Sequence, residues 1–338
     1  MIDGILPSID NLLETDLETL AQESVRLTRQ RFGHTIQLYA PLYLSSECVN
    51  HCTYCGFSTH NRSIPRRTLS PEEIRTESRA LASQGIRHVL LVAGEHPKHV
   101  SVPYLESCVR AARPLFSSLS LEVAPLTTEE YRPLVEAGAS GLVVYQETYD
   151  REAYRTLHLA GPKKNYDDRL ETALRGARAG MRTVGLGFLL GLAPWKQEWI
   201  SLMEHARQVQ SQAWQCQLAF SFPRLRAAEG VQGPRHPVSD AELTRLICLT
   251  RIQFPESMIV LSTRESPALR DALAPLGVTQ MSAGSRTMPG GYALGQEELE
   301  QFEVSDERSV HEVREALRSI GLEAVDKDWE RDLVGPVR

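Results

Sequence analysis

The sequence predicts an α/β fold, a (β/α)8 TIM-type barrel with helical extensions at its N- and C-terminal ends. Three observations predict it. Short apolar runs alternate with amphipathic stretches of helical period, the pattern of βα units around a parallel sheet. Eight such runs can be counted, enough to close a barrel. Glycine and polar residues recur at the C-terminal ends of the runs, where barrels of this kind carry their chemistry. A six-strand partial barrel is the competing architecture, and turn and capping preferences alone enrich the same boundaries in such residues.

In chain order, residues 1–32 are expected to form a helical arm before the first strand. The strand candidates are 38–45, 87–93, 118–124, 141–145, 183–190, 216–221, 258–262 and 278–282. Helix candidates lie between them at 71–84, 104–115, 128–137, 167–179, 197–212, 239–253 and 267–275. The first of these has Ser70 to cap it, Pro71 at its first position and Glu73 at its third, close to a capping box. The barrel is expected over 33–294, and the extension 295–338, with an amphipathic helix at 307–320, is expected to pack on its outside. No repeat, low-complexity segment or long linker divides the chain.

Composition narrows the function classes. Lys plus Arg number 37 against 43 Asp plus Glu, a net charge of −6 that makes no electrostatic case for nucleic acid or an anionic membrane. No run of about 18 apolar residues suggests a membrane span. The acidic N-terminus lacks the basic start of a signal peptide, so a cytoplasmic protein is expected. Three of the six cysteines crowd into 48–55, while Cys108, Cys216 and Cys248 sit in apolar patterns and read as small buried hydrophobes.

The strongest chemical signal is Cys48-Val-Asn-His-Cys52-Thr-Tyr-Cys55, just after the first strand. Thiolates are soft ligands that suit iron–sulfur clusters and zinc. Three thiolates on a four-iron cubane leave one iron open. Such an iron can chelate the amino and carboxylate groups of S-adenosyl-L-methionine (SAM), and electron transfer into the sulfonium then yields a 5′-deoxyadenosyl radical. Structural zinc wants four ligands, usually in two separated pairs, although His51 or His60 could supply a fourth. A zinc-stabilised binding module is therefore the non-enzymatic alternative.

Other candidates stand at strand ends. Gly94 permits close backbone approach, and Glu95 can accept from the SAM ammonium. Glu147, after the fourth strand, could grip both ribose hydroxyls. Arg169 could pair with the SAM carboxylate and Glu171 follows two residues on, although both also fit a solvated helix face. Ser262-Thr263-Arg264 ends the seventh strand. A guanidinium there, assisted by hydroxyls, could clamp the carboxylate of an amino acid, or it could simply pair with Glu265. Arg224 and Arg226 follow the sixth strand and are expected to face the mouth, and 288–292 reads as a turn able to serve as a lid.

Taken together, ProLeuTyrLeuSer at 41–45, CysThrTyrCysGlyPheSer at 52–58, ValAlaGlyGluHis at 92–96, TyrGlnGluThrTyr at 145–149, SerPheProArgLeuArg at 221–226, LeuSerThrArgGluSerPro at 261–267 and ProGlyGlyTyrAla at 289–293 resemble the 2-iminoacetate synthases, the tyrosine lyases of thiamine biosynthesis within the radical SAM superfamily. LysAspTrpGlu at 327–330 is similar to the end of that family. The resemblance runs from about Arg26 to the C-terminus and implies the superfamily's barrel. It implies a [4Fe–4S] cluster on Cys48, Cys52 and Cys55, with Tyr54, the aromatic of the radical SAM signature, beside the adenine. Glu95, Glu147 and Arg169 match SAM-contacting positions, and Ser262 and Arg264 match positions that hold the substrate carboxylate in related lyases. The implied reaction begins with removal of a hydrogen atom from the amino group of L-tyrosine. The Cα–Cβ bond then breaks, giving p-cresol and 2-iminoacetate (dehydroglycine) for the thiazole of thiamine. Thiazole synthase and an electron donor such as flavodoxin or ferredoxin are the implied partners.

The N-terminal arm is shorter than in typical members, which bears on cluster shielding or partner contacts. A hydrogenase-maturation tyrosine lyase shares the barrel but needs a second cluster on later cysteines, and none follows Cys248. A tryptophan lyase shares the carboxylate clamp and stays open as an alternative.

Overall fold

The strand Thr35–Ser45 is the seam of the fold, as the computed structural model, which describes residues 9–226, 233–295 and 301–326, makes plain. On one side it pairs in parallel with His88–Ala93 and on the other with Gln280–Ser282. Between those neighbours run Ser118–Glu122, Gly141–Val143, Thr183–Gly187, Gln217–Ser221 and Met258–Leu261, all parallel and in chain order. Eight strands thus close a barrel, and the six-strand alternative falls away. Each expected strand is present, most of them trimmed at their ends.

Period-two alternation decides which side chains face the helices. On the first strand Leu38, Ala40, Leu42 and Leu44 are buried in the core under the helices. Tyr39 and Tyr43 point the other way and line the barrel interior. On the third strand Leu119 and Leu121 join the outer core, so Ser118, Ser120 and Glu122 are directed inward. The interior is consequently polar. Its lower half encloses about 400 Å³, and the mouth holds a separate cavity of about 170 Å³. The mouth cavity, which carries the cysteines, is the one that matters for chemistry.

Helices follow their local signals. Ser70 and Glu73 complete a reciprocal capping box on Pro71–Ser83, with Pro71 in the first turn. Asn165 caps Tyr166–Ala179, and the arm helix Leu17–Phe32 packs on Asp240–Gln253. Four short elements carried no sequence signal. Helix Arg151–Leu157 leads into His158–Ala160, which pairs antiparallel with His51–Cys52 beside the cysteine loop. Glu323–Val325 adds a ninth parallel strand on Thr35–Gln37. Strands this short show no periodicity to read.

The C-terminal extension corrects an expectation. Helix Val310–Ser319 buries Val310, Val313 and Leu317 in the core, but residues 301–306 cross the mouth instead of staying outside. Ser305 and Asp306 donate to the Thr263 carbonyl at 2.9 and 3.1 Å, and buried Asp306 pairs with buried Arg270. The turn at 288–292 is likewise no free lid. The buried Glu77 carboxylate accepts from the backbone of Tyr292, Ala293 and Leu294, and the Tyr292 hydroxyl donates to the Pro41 carbonyl. The residues 327–330 lie outside the described residues. Among the described residues, no helix is long and apolar enough to cross a membrane.

Candidate active site

The cysteine loop leaves the first strand at Ser45 and is tied back to the second. The Gly94 amide donates to the Ser45 carbonyl, and the Val49 amide to the Glu95 carbonyl, each at 2.9 Å. Gly94 is required here, because a Cβ would sit 2.3 Å from the Glu47 carbonyl oxygen. Arg66, which no motif singled out, donates to the carbonyls of Ser46, Phe57, Ser58 and Asn61 and so knits the loop together. Cys48, Cys52 and Cys55 are free thiols that line one side of the mouth cavity. Burial pushes the thiols of Cys48 and Cys52 above their ordinary values.

Three thiols around one cavity, in a loop fixed by its own backbone, suit a cubane that ionises them on binding. They are spread more widely than a single ion's ligands. Among the described residues, the three potential ligands gathered within 4.8 Å of one another are Glu47, His96 and His99. His51 stacks on His60 with centroids 4.7 Å apart.

Tyr54 is held rigidly. The His158 Nδ1 lies 2.8 Å from the Tyr154 carbonyl, which can only accept, so Nδ1 carries the proton. Nε2 then accepts from the Tyr54 hydroxyl at 2.6 Å. Burial lowers the His158 pKa to about 4, which keeps the ring neutral.

Beside the cysteines runs a continuous ionic network. Arg169 bonds Glu95 at 3.0 Å and Glu147 at 3.3 Å, and its Nε donates to the Tyr145 carbonyl at 2.7 Å. Lys163 bonds Glu147 at 2.7 Å. Asn50, inside the cysteine loop, donates to Glu95 and accepts from the Lys163 amide. Burial pushes the Glu147 carboxyl up, but Lys163 and Arg169 outweigh it and hold the pKa below the ordinary value. Among the described residues Glu147 is the one non-glycine with a positive φ, +71°. That conformation aims its carboxylate at both cations, and such strain is common at functional sites.

The opposite wall is built differently. Ser262, Thr263 and Arg264 all reach the cavity. The Arg264 guanidinium lies 3.4 Å from the centroid of the Phe302 ring, and among the described residues no carboxylate comes within salt-bridge distance of it. Glu265 pairs instead with Arg224 and Arg226, so the simple pairing of Arg264 with Glu265 does not occur. Glu122 faces the same space. Burial and then the charge of Glu147 raise its carboxyl to about 7.

Eleven of the twelve expected site residues meet at this mouth. Gly94, Tyr54 and the three cysteines line it with Glu95, Glu147, Arg169, Ser262, Thr263 and Arg264. Glu171 does not. Its side chain is 74% exposed and faces Arg175 at 3.9 Å, a solvated helix face. Sequence reading missed Asn50, Lys163, Glu122, Gln301 and Phe302. Lys163 and Glu122 had no motif, and the last two depend on where the tail crosses.

Comparison with known proteins adds a second line. Residues 42–204 match the family model of the radical SAM superfamily, and 221–323 match the Biotin and Thiamin Synthesis associated domain. The chain is 46% identical over 93% of its length to the 2-iminoacetate synthase of Escherichia coli K12, covering 83% of that protein. It is 45% identical to the 2-iminoacetate synthase of Salmonella typhimurium, with the same coverage. Among solved structures it resembles HydG, a maturase of the [FeFe]-hydrogenase, with a TM-score of 0.90 at 31% identity, over 94% of this chain and 72% of that one. Methylornithine synthase PylB, at 22% identity and a TM-score of 0.77 over 96% of this chain and 95% of that one, shares the fold.

Proposed function

The chain belongs to the 2-iminoacetate synthase family of radical SAM enzymes, and on that premise we propose which residues serve each part of its reaction. The enzyme cleaves the Cα–Cβ bond of L-tyrosine to p-cresol and 2-iminoacetate. When bound, a [4Fe–4S] cluster and SAM supply the 5′-deoxyadenosyl radical that starts this cleavage.

Cys48, Cys52 and Cys55 hold the cluster. Glu95, Glu147 and Arg169 grip the polar groups of SAM, Gly94 lets the cofactor approach the backbone, and Tyr54 packs beside the adenine. Ser262, Thr263 and Arg264 hold the substrate carboxylate. The observation that carries this reading is one cavity lined by three thiols and by a guanidinium that has no carboxylate partner among the described residues. A guanidinium that grips a carboxylate in bidentate fashion fixes both position and rotation, so the amino group can be aimed at the radical. The reading extends to a cytoplasmic setting, to thiazole synthase as the acceptor of 2-iminoacetate, and to flavodoxin or ferredoxin as electron donor.

The test is anaerobic reconstitution followed by product analysis with L-tyrosine and L-tryptophan supplied separately. The expected result is p-cresol from tyrosine and no indole-derived product from tryptophan. Stoichiometric zinc with no iron spectrum after reconstitution would overturn the assignment of the cysteines.

A further inference from the structure

We propose that Glu122 binds the α-ammonium group of the substrate and accepts one of its protons, opposite the carboxylate clamp at Arg264. The proposal rests on the reading of this mouth as an amino-acid site.

Strand register puts the side chain there. Leu119 and Leu121 face the outer core, which leaves Glu122, the last residue of the third strand, directed into the mouth cavity. The other two acids that line the wall are already satisfied. Glu95 has Arg169 and Asn50, and Glu147 has Arg169 and Lys163. Glu122 has neither a hydrogen-bond nor an ion-pair partner among the described residues. A carboxylate removed from bulk water without a partner is unfavourable, as is a guanidinium in the same state. Glu122 and Arg264 carry opposite charges, share one cavity and feel one another's field without touching. An amino-acid zwitterion, with its ammonium and carboxylate on one carbon, would satisfy both.

The chemistry needs such a group. The α-amino group of a free amino acid is protonated at neutral pH. Loss of a hydrogen atom from the cation would leave a positively charged nitrogen radical, whereas the neutral amine gives a neutral one. The step is R–NH3+ + Glu122–COO− → R–NH2 + Glu122–COOH; one N–H bond breaks, one O–H bond forms, and no electron moves. A carboxyl raised to about 7 suits that transfer near neutral pH. Glu147 raises this value, whereas Arg264, Lys163 and Arg169 lower it. From the first strand Tyr39 and Tyr43 face the same carboxylate, as does Tyr145 after the fourth.

The test uses reconstituted, unreduced holoenzyme with SAM, so that no turnover occurs, and measures binding of L-tyrosine and of 3-(4-hydroxyphenyl)propanoate, which lacks the amino group. Wild type should prefer tyrosine by roughly tenfold or more, the size of one charged hydrogen bond. Glu122→Gln should bring the two ligands within about twofold of each other, and Glu122→Asp should restore much of the preference. Arg264→Lys should weaken both ligands together. With reductant added, p-cresol formation by wild type should rise on an acidic limb that Glu122→Gln lacks. If Glu122→Gln keeps the tenfold preference and the limb while wild type makes p-cresol, this role for Glu122 is wrong and the amino-acid reading survives. If wild type makes no p-cresol from tyrosine, both fail.

Discussion

Two sets of charges at the mouth are similar in kind and opposite in state. On the cysteine side Arg169, Lys163, Glu95 and Glu147 are bonded to one another, and Asn50 joins the network to the cysteine loop. By contrast Glu122, at the end of the third strand, and Arg264, across the mouth after the seventh, face the cavity without ionic partners among the described residues. The first arrangement is complete before any ligand arrives. Burying its charges is offset within the protein, and the geometry is set in advance. The second is held in place by strand register and by Phe302, with its charges left for a ligand to neutralise. A completed network offers a ligand fixed geometry, and an open pair offers it uncompensated charge.

The comparison breaks most completely at the thiols. A Cys48/Cys52/Cys55→Ala variant should bind no iron and form neither deoxyadenosine nor p-cresol, read from the iron–sulfur absorbance and product chromatography. Next in size is Arg169→Ala. It removes the cation bonded to Glu95 and one of the two bonded to Glu147, and breaking a buried pair costs up to about 3–5 kcal/mol. Chemical denaturation should show that loss, together with weaker SAM binding in equilibrium dialysis. Unchanged values in both would mean that the network is not a structural unit.

Arg264→Lys tests the open pair. The charge and the fold should survive, because no ionic partner is stranded. The rate of p-cresol formation should fall on the order of a hundredfold, since a misplacement of about 1 Å carries that effect. Slow uncoupled deoxyadenosine formation should remain. A wild-type rate with an unchanged tyrosine dependence would remove the clamp from the argument.

The absence of a partner at Glu122 should also appear in stability without substrate. Its carboxyl titrates at about 7 in the folded protein, above the ordinary value of 4.5. The folded state therefore binds more protons than the unfolded state between those values, and stability falls as pH rises through them. Glu122→Gln lacks this titration. Its melting temperature should match wild type near pH 5 and exceed it near pH 8, by the equivalent of roughly 1 kcal/mol for a carboxylate that faces a hydrated cavity. A difference independent of pH would show that Glu122 is already paired. The smallest effect belongs to Glu171→Ala. Exposed as the residue is, it should change stability by less than about 0.5 kcal/mol and leave SAM binding intact.

Several features were legible from the chain because they are local. Ser70, Pro71 and Glu73 specify a helix start within four residues. Leu38, Ala40, Leu42 and Leu44 specify a strand and its outer face. The spacing of three cysteines declares soft-metal chemistry before any fold is known. Arg169 was ambiguous for a local reason as well. Its neighbours on the helix are solvated, and only the helix's angle to the barrel turns this one side chain inward while Glu171 stays out.

By itself, then, the sequence determined the eight strands, the cysteine loop and the residue types at the strand ends. Each of these follows from steric and solvation preferences that act over a few neighbouring residues. Tertiary structure decided which of the charged groups would be paired. Glu265 is adjacent to Arg264 in the chain, yet it bonds Arg224 and Arg226 from the neighbouring strand end. Lys163 reaches Glu147 from a loop, and Gln301 and Phe302 come from a tail that crosses the barrel. Coulomb energy depends on distance and on the burial of the charges, and both were set only when the barrel closed.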